Sequence, residues 1–143
     1  MRLGYSLVEL VIVLMVIGLV AALATPGWTT LLDRIAVERA ATEVTTALAI
    51  ARNAAVLRTT RTRLTVVADS LRVDEWQDRT WRPLWRCPGP ASNAVSLQVS
   101  NGTVIFGAVG IGAGASNTTV VLQRGTHAAK ITMSRVGRVK RWY

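Results

Sequence analysis

Hydrophobic and polar positions follow three different rhythms along this chain. From Leu7 to Ala24, 18 residues, the only charge is Glu9 and almost every other position is apolar. As a helix this run is roughly 27 Å long, close to the hydrocarbon thickness of a bilayer, and it predicts one membrane span. Pro26-Gly27 follows. Proline removes a backbone donor and clashes one turn back, so a kink is expected. A helical pattern resumes at Trp28, which argues against a stop. Val37, Ala41, Val44, Leu48, Ala51 and Ala55 then recur at spacings of four and three, with Ala36, Ala40, Ala47, Ile50, Ala54 and Leu57 in a second line beside them. Together they form a broad face of small side chains suited to close packing on a sheet. One helix from about Tyr5 to Leu57 is expected, roughly 80 Å long if continuous. Arg34 with Glu38, and Arg39 with Glu43, stand at i,i+4 away from that face.

From Arg63 the period becomes two. RLTVVA and LRVDEW read as strands around Asp69-Ser70, and residues 76–94, rich in Trp, Arg and Pro, read as a loop. AVSLQVS and TVIFGAV flank Asn101-Gly102, the strongest hairpin signal in the chain. GIGAGASN, residues 110–117, reads as a flexible connection. TVVLQR and AAKITMS flank Gly125-Thr126, and GRVKRWY supplies a last strand. The predicted fold class is α+β, a long N-terminal helix whose first half crosses the membrane, packed on a C-terminal antiparallel β-rich domain. No solenoid-type repeat is present.

Charge changes the picture for the second half. Residues 1–78 carry eight Arg and eight acids, whereas residues 79–143 carry nine Lys and Arg and no acid, so the whole net charge of +9 lies there. An anionic partner fits this asymmetry, either nucleic acid, a lipid headgroup surface or an acidic protein; a merely solvated basic surface fits as well.

Catalytic and metal chemistry find little support. The single Cys87 permits no intrachain disulfide, and one His (His127) with one Cys makes a poor metal set. GAVGIGAG lacks the Lys-Ser/Thr of a phosphate-binding loop. Asp69, Asp74, Glu75 and Asp78 match no cation-loop spacing. No cofactor and no enzymatic activity are expected. Trp76, Trp81 and Trp85 interleave with Arg79, Arg82 and Arg86; cation–π pairing that orders a loop is one reading, a partner-binding loop the other.

Two accounts of the N-terminus compete. In one, Arg2, the apolar run and Ala22-Leu23-Ala24 form an ordinary secretory signal. In the other, Gly4-Tyr5-Ser6-Leu7-Val8-Glu9-Leu10 closely resembles the leader junction of type IV prepilins and pseudopilins. The resemblance implies a four-residue leader, a cut by prepilin peptidase between Gly4 and Tyr5, and N-methylation of Tyr5, where the family more often has Phe or Met. Glu9 and Pro26 then hold the family's assembly-glutamate and helix-proline positions. It also implies a reason for an expensive carboxylate in an apolar segment: Glu9 faces the Tyr5 ammonium of a neighbouring subunit, and the buried pair sets register. A Glu9 that snorkels to the headgroups is the simpler alternative. On this reading the segments are 1–4 leader, 5–27 membrane and filament-core helix, 28–60 amphipathic helix, and 61–143 periplasmic β-rich domain.

The chain's ending, KITMSRVGRVK from Lys130, resembles the GspH/FimT group of minor pseudopilins and minor pilins, which often close on a strand, a small turn and Gly-Arg-x-Arg. Lys140 replaces the second Arg, keeping the charge and losing the bidentate fork. The group implies a minor subunit of a type II secretion pseudopilus or type IV pilus, with prepilin peptidase, other pilin or pseudopilin subunits and the bacterial inner membrane as partners. FimT-like members bind DNA for natural transformation through this tail, which implies double-stranded DNA as an alternative partner. If 138–142 is a strand with Val139 inward, Arg138, Lys140 and Trp142 share its outer face, near Arg135, Gly137 and Arg141. Cations beside an aromatic can hold phosphates and stack on a base; a charged strand edge guarded against aggregation is the bland reading.

Overall fold

The computed structural model describes residues 6–114 and 116–143, and over 23–26 the backbone alone. Helix α1 spans Leu7–Leu57, 51 residues, and it stays helical through Pro26 and Gly27. It ends where Thr59 turns to φ 50°, while the Thr60 amide closes on the Ala55 carbonyl at 3.1 Å. That is the left-handed cap that satisfies terminal carbonyls, here without glycine.

Eight strands follow: β1 Thr62–Val66, β2 Ser70–Gln77, β3 Thr80–Pro88, β4 Ser96–Val99, β5 Thr103–Phe106, β6 Thr118–Arg124, β7 His127–Met133 and β8 Val139–Trp142. They form two four-stranded sheets, β3-β2-β1-β5 and β4-β6-β7-β8, with every pair antiparallel. The second half of α1 packs on both sheets. Ala40, Ala41, Val44, Ala47, Ala51 and Ala55 have no exposed surface, and they meet Leu64, Val73, Phe106, Leu122 and Ile131. The small helix residues let the backbone of α1 come close to the strands. Thr62, fully buried, donates its hydroxyl to the Ala51 carbonyl at 2.7 Å and so fastens the start of β1 to α1.

Three expectations are corrected. Residues 76–94 are mostly strand: β2 runs to Gln77 and β3 occupies Thr80–Pro88, followed by a short 3-10 turn at Pro90–Asn93. Asp78 and Arg79, at φ 51° and 62°, make a two-residue turn of the mirror-image kind that suits hairpins. Trp76 pairs with Trp81 across it, edge to face at 5.1 Å, and the Arg63 guanidinium lies 4.6 Å over the Trp81 ring. Pro83 is tolerated because β3 is an edge strand and the register shifts beside it.

Asn101-Gly102 is not a hairpin. β4 pairs with β6 and β5 with β1, so the chain crosses there from one sheet to the other. Neither residue has the positive φ of a mirror-image turn. Both sheets hold the crossing instead: the Val66 amide donates to the Gly102 carbonyl at 2.7 Å, and the Thr118 hydroxyl to that of Asn101 at 2.8 Å.

The 110–117 connection is tied down at its described residues. The Gly112 amide donates to the Arg135 carbonyl, Ala113 donates to Ile105, and Ser116 is buried.

Candidate functional site

Two surfaces stand out: the free half of α1 and the outer face of the second sheet. On α1 the large apolar side chains from Leu7 to Val20 are all exposed, Leu7 by 78% and Met15 by 71%, and so are Trp28, Leu31, Leu32 and Ile35. They point in every direction around the helix. A helix that is apolar all round requires a membrane or other helices about it. Glu9 lies in the first turn, where a carboxylate meets the helix's positive end. Gly4 and Tyr5 lie outside the described residues, as does the side chain of Pro26.

At the other end, the β7–β8 loop is held by its own backbone. The Ser134 amide donates to the Arg138 carbonyl at 3.0 Å, and the Gly137 amide to Ser134 at 2.9 Å. Gly137 is buried at φ 77°, and a Cβ there would lie 3.0 Å from the Gly110 carbonyl oxygen. This turn sets Arg135 and Arg138 at one end of the second sheet. With Lys140 they line a groove of about 550 Å³ whose polar walls include Ser100, Thr119, Thr132 and Ser134. All three cations are exposed, and none has an ion-pair partner among the described residues. Lys140 and Trp142 share the outer face of β8, with the ammonium 5.7 Å from the ring. Hydroxyl donors between three cations can hold an anion.

Arg141 faces the opposite way. It donates to the Glu38 carboxylate, to the Glu38 carbonyl at 3.2 Å and to the Thr42 hydroxyl at 3.4 Å, and it lies 4.7 Å from the Tyr143 ring. The structure therefore brings Arg135, Gly137, Arg138, Lys140 and Trp142 together, and assigns Arg141 to fastening β8 onto α1. Glu38 is thereby claimed by Arg141 and not by Arg34; the Arg39–Glu43 pair forms as expected, at 3.2 Å. A second fastener is Arg124, which binds Asp33 at 2.7 Å and the Asn93 carbonyl at 2.6 Å. Sequence reasoning missed both, because their partners lie 91 and 103 residues apart. Cys87 on β3 and His127 on β7 belong to different sheets.

The sequence profile of the family described as type II transport protein GspH matches residues 40–137. The chain belongs to the GspH family. No curated protein matches it by sequence. Its fold is similar to that of the type IV minor pilin FimU of Pseudomonas aeruginosa, at 18% identity and a TM-score of 0.64, over 76% of this chain and 89% of that one. It is also similar to the minor pseudopilin EpsH of the Vibrio cholerae type 2 secretion system, at 11% identity and a TM-score of 0.60, over 74% and 95% of the two chains. A long N-terminal helix laid on antiparallel sheets is thus a pilin-like fold. The GspH match begins inside α1 at Ala40 and ends at Gly137, so the apolar half-helix and β8 lie beyond it.

Proposed function

We propose that this protein is a minor pilin or pseudopilin subunit, cut between Gly4 and Tyr5 by prepilin peptidase, N-methylated at Tyr5, and assembled through the free half of α1. The observation that carries this reading is the exposed apolar half-helix continuous with a helix half packed into a GspH domain. Before assembly the half-helix is an inner-membrane anchor with the domain in the periplasm. After assembly other subunits' helices replace the lipid, and Glu9 meets the Tyr5 ammonium of a neighbour. Cells expressing Glu9→Ala should accumulate the processed protein in the membrane while it fails to co-purify with the other subunits. Normal assembly of that variant would sink the Glu9 role, and an uncut chain in cells with active peptidase would sink the processing step.

The groove of Arg135, Arg138 and Lys140 favours a second reading, a DNA-binding minor pilin. Binding of duplex DNA by the full chain in detergent, titrated with salt, tests it against a variant with all three changed to Gln. Each lost phosphate contact should lower the salt slope by roughly 0.9. Identical titrations for the two proteins would leave the secretion pseudopilus as the reading to keep.

A further inference from the structure

The apolar segment and the folded domain meet with no spacer. After Glu9 the next charges in the chain are Asp33 and Arg34, and Leu31, Leu32 and Ile35 are exposed apolar side chains at that junction. Asp33 is already bound to the domain through Arg124. Asp33 lies six helical steps, about 9 Å, beyond Gly27, whereas each interfacial layer of a bilayer is several ångströms thick. A membrane that covers the apolar run therefore brings its headgroups up to the near end of the domain.

That end has a defined composition. The β6–β7 turn at Gly125-Thr126 lies against Asp33, so close that a Cβ on Gly125 would overlap the Asp33 carboxylate. The end of β8 is drawn to α1 little more than one turn further along, by Arg141 and by the Tyr143 hydroxyl, which donates to the Glu38 carboxylate at 2.9 Å. Trp142 and Tyr143 are left 55% and 76% exposed beside Lys130, which pairs with Trp142 across the strands. Arg34 and Lys130 are exposed and have no ion-pair partner among the described residues. The two nearby acids, Asp33 and Glu38, are neutralised by Arg124 and Arg141. Free cations flanked by Trp and Tyr match an interface of anionic headgroups, which attracts Lys and Arg and accommodates amphipathic rings.

We propose that, while α1 is in the membrane, the domain end formed by Arg34, the 125–126 turn, Lys130, Trp142 and Tyr143 rests on the anionic headgroup surface of the bilayer. This rests on the anchoring role of α1 and adds to it a second, charge-dependent contact that fixes how the domain stands before assembly.

The test uses the full chain in lipid nanodiscs carrying a headgroup-level fluorescence quencher. One set contains phosphatidylcholine alone, the other phosphatidylcholine with phosphatidylglycerol. Comparing the parent with Trp142→Phe isolates Trp142, and comparing it with Trp28→Phe isolates Trp28 on the anchor. Trp142 should be quenched in the anionic discs only. That quenching should vanish on raising the salt, and in a variant with Arg34 and Lys130 changed to Gln. Trp28 should be quenched in both discs throughout. Trp28 quenched with Trp142 untouched would overturn the docking and leave the anchor standing. Trp142 quenched equally in both discs would overturn its charge dependence. Shielding of Trp142 by added duplex DNA in preference to anionic lipid would give the surface to nucleic acid instead. Failure to quench Trp28 would remove the anchor, and the docking with it.

Discussion

Arg141 reaches back 103 residues from the last strand to hold Glu38 by both its carboxylate and its main-chain carbonyl. The contact joins the end of β8, an edge strand of only four residues, to the middle of α1. The pair is half-exposed, with side-chain exposures of 24% for Arg141 and 39% for Glu38, so its worth is moderate. Arg141→Ala is expected to cost about 1–2 kcal/mol, mostly through the main-chain and carboxylate bonds it loses. Arg141→Lys should recover only part of that, since a single ammonium cannot reproduce the fork. Thermal unfolding of the three proteins checks both, and equal stability of all three would show that β8 needs no fastener.

The alanines of α1 make a prediction of opposite kind. Ala47 has no exposed surface, and its size sets how near the helix lies to the sheets. Ala47→Leu should destabilise by about 1–3 kcal/mol through overpacking. Leu48→Ala, one position on, should cost about 2–5 kcal/mol by opening a cavity. Denaturant midpoints measure both. A neutral Ala47→Leu would mean that the helix can lift without loss.

Arg79 sits at φ 62° in the β2–β3 turn, a conformation that strains any side chain with a Cβ. Arg79→Gly is expected to stabilise the domain by about 1 kcal/mol. A fall in melting temperature would instead assign Arg79 a contact that outweighs its strain.

Burial pushes the Cys87 thiol above its ordinary range, and the nearby Glu43 carboxylate pushes it further. At mildly alkaline pH fewer thiolates form, so iodoacetamide should modify native Cys87 more slowly than the same residue in the unfolded chain. Glu43→Gln removes the repulsion, lowers the thiol's pKa and should speed the reaction. An unchanged rate would leave burial as the whole cause.

Legibility in the sequence followed the range of the interactions. The apolar run, the small-residue face of α1 and the β6–β7 hairpin rest on neighbours within a few residues, and each could be read directly. Gly125, at φ 55°, marks a real turn. Asn101-Gly102 carried the same kind of signal and failed, because distant donors on β1 and β6 held it as a crossover. β3 was hidden for the converse reason. Its turn uses Asp78-Arg79 in place of a glycine, and its Trp and Pro residues resemble loop composition until the Trp76–Trp81 pairing is seen. The basic groove was partly legible, since Arg138 just before β8 and Lys140 and Trp142 along it alternate in the sequence. The inward turn of Arg141 depends on Glu38, and no local pattern could reveal it.

The crossing at Asn101-Gly102 has a further consequence for how this domain is made. Because β5 leaves β4 to join β1, the first sheet draws on residues before and after β4, and neither sheet is one uninterrupted piece of chain. Both also require the helix that precedes them. No fragment ending before β5 can close the first sheet, and none ending before β8 can close the second, so the domain is expected to gain and lose its structure in a single cooperative step. Such distant pairings must wait for most of the polypeptide to emerge during synthesis, and they make for slow folding. A chain cut short before β8 would leave the edge of β7 unpaired, and a chain cut short before β6 would also uncover the alanine face of α1 and be open to proteolysis.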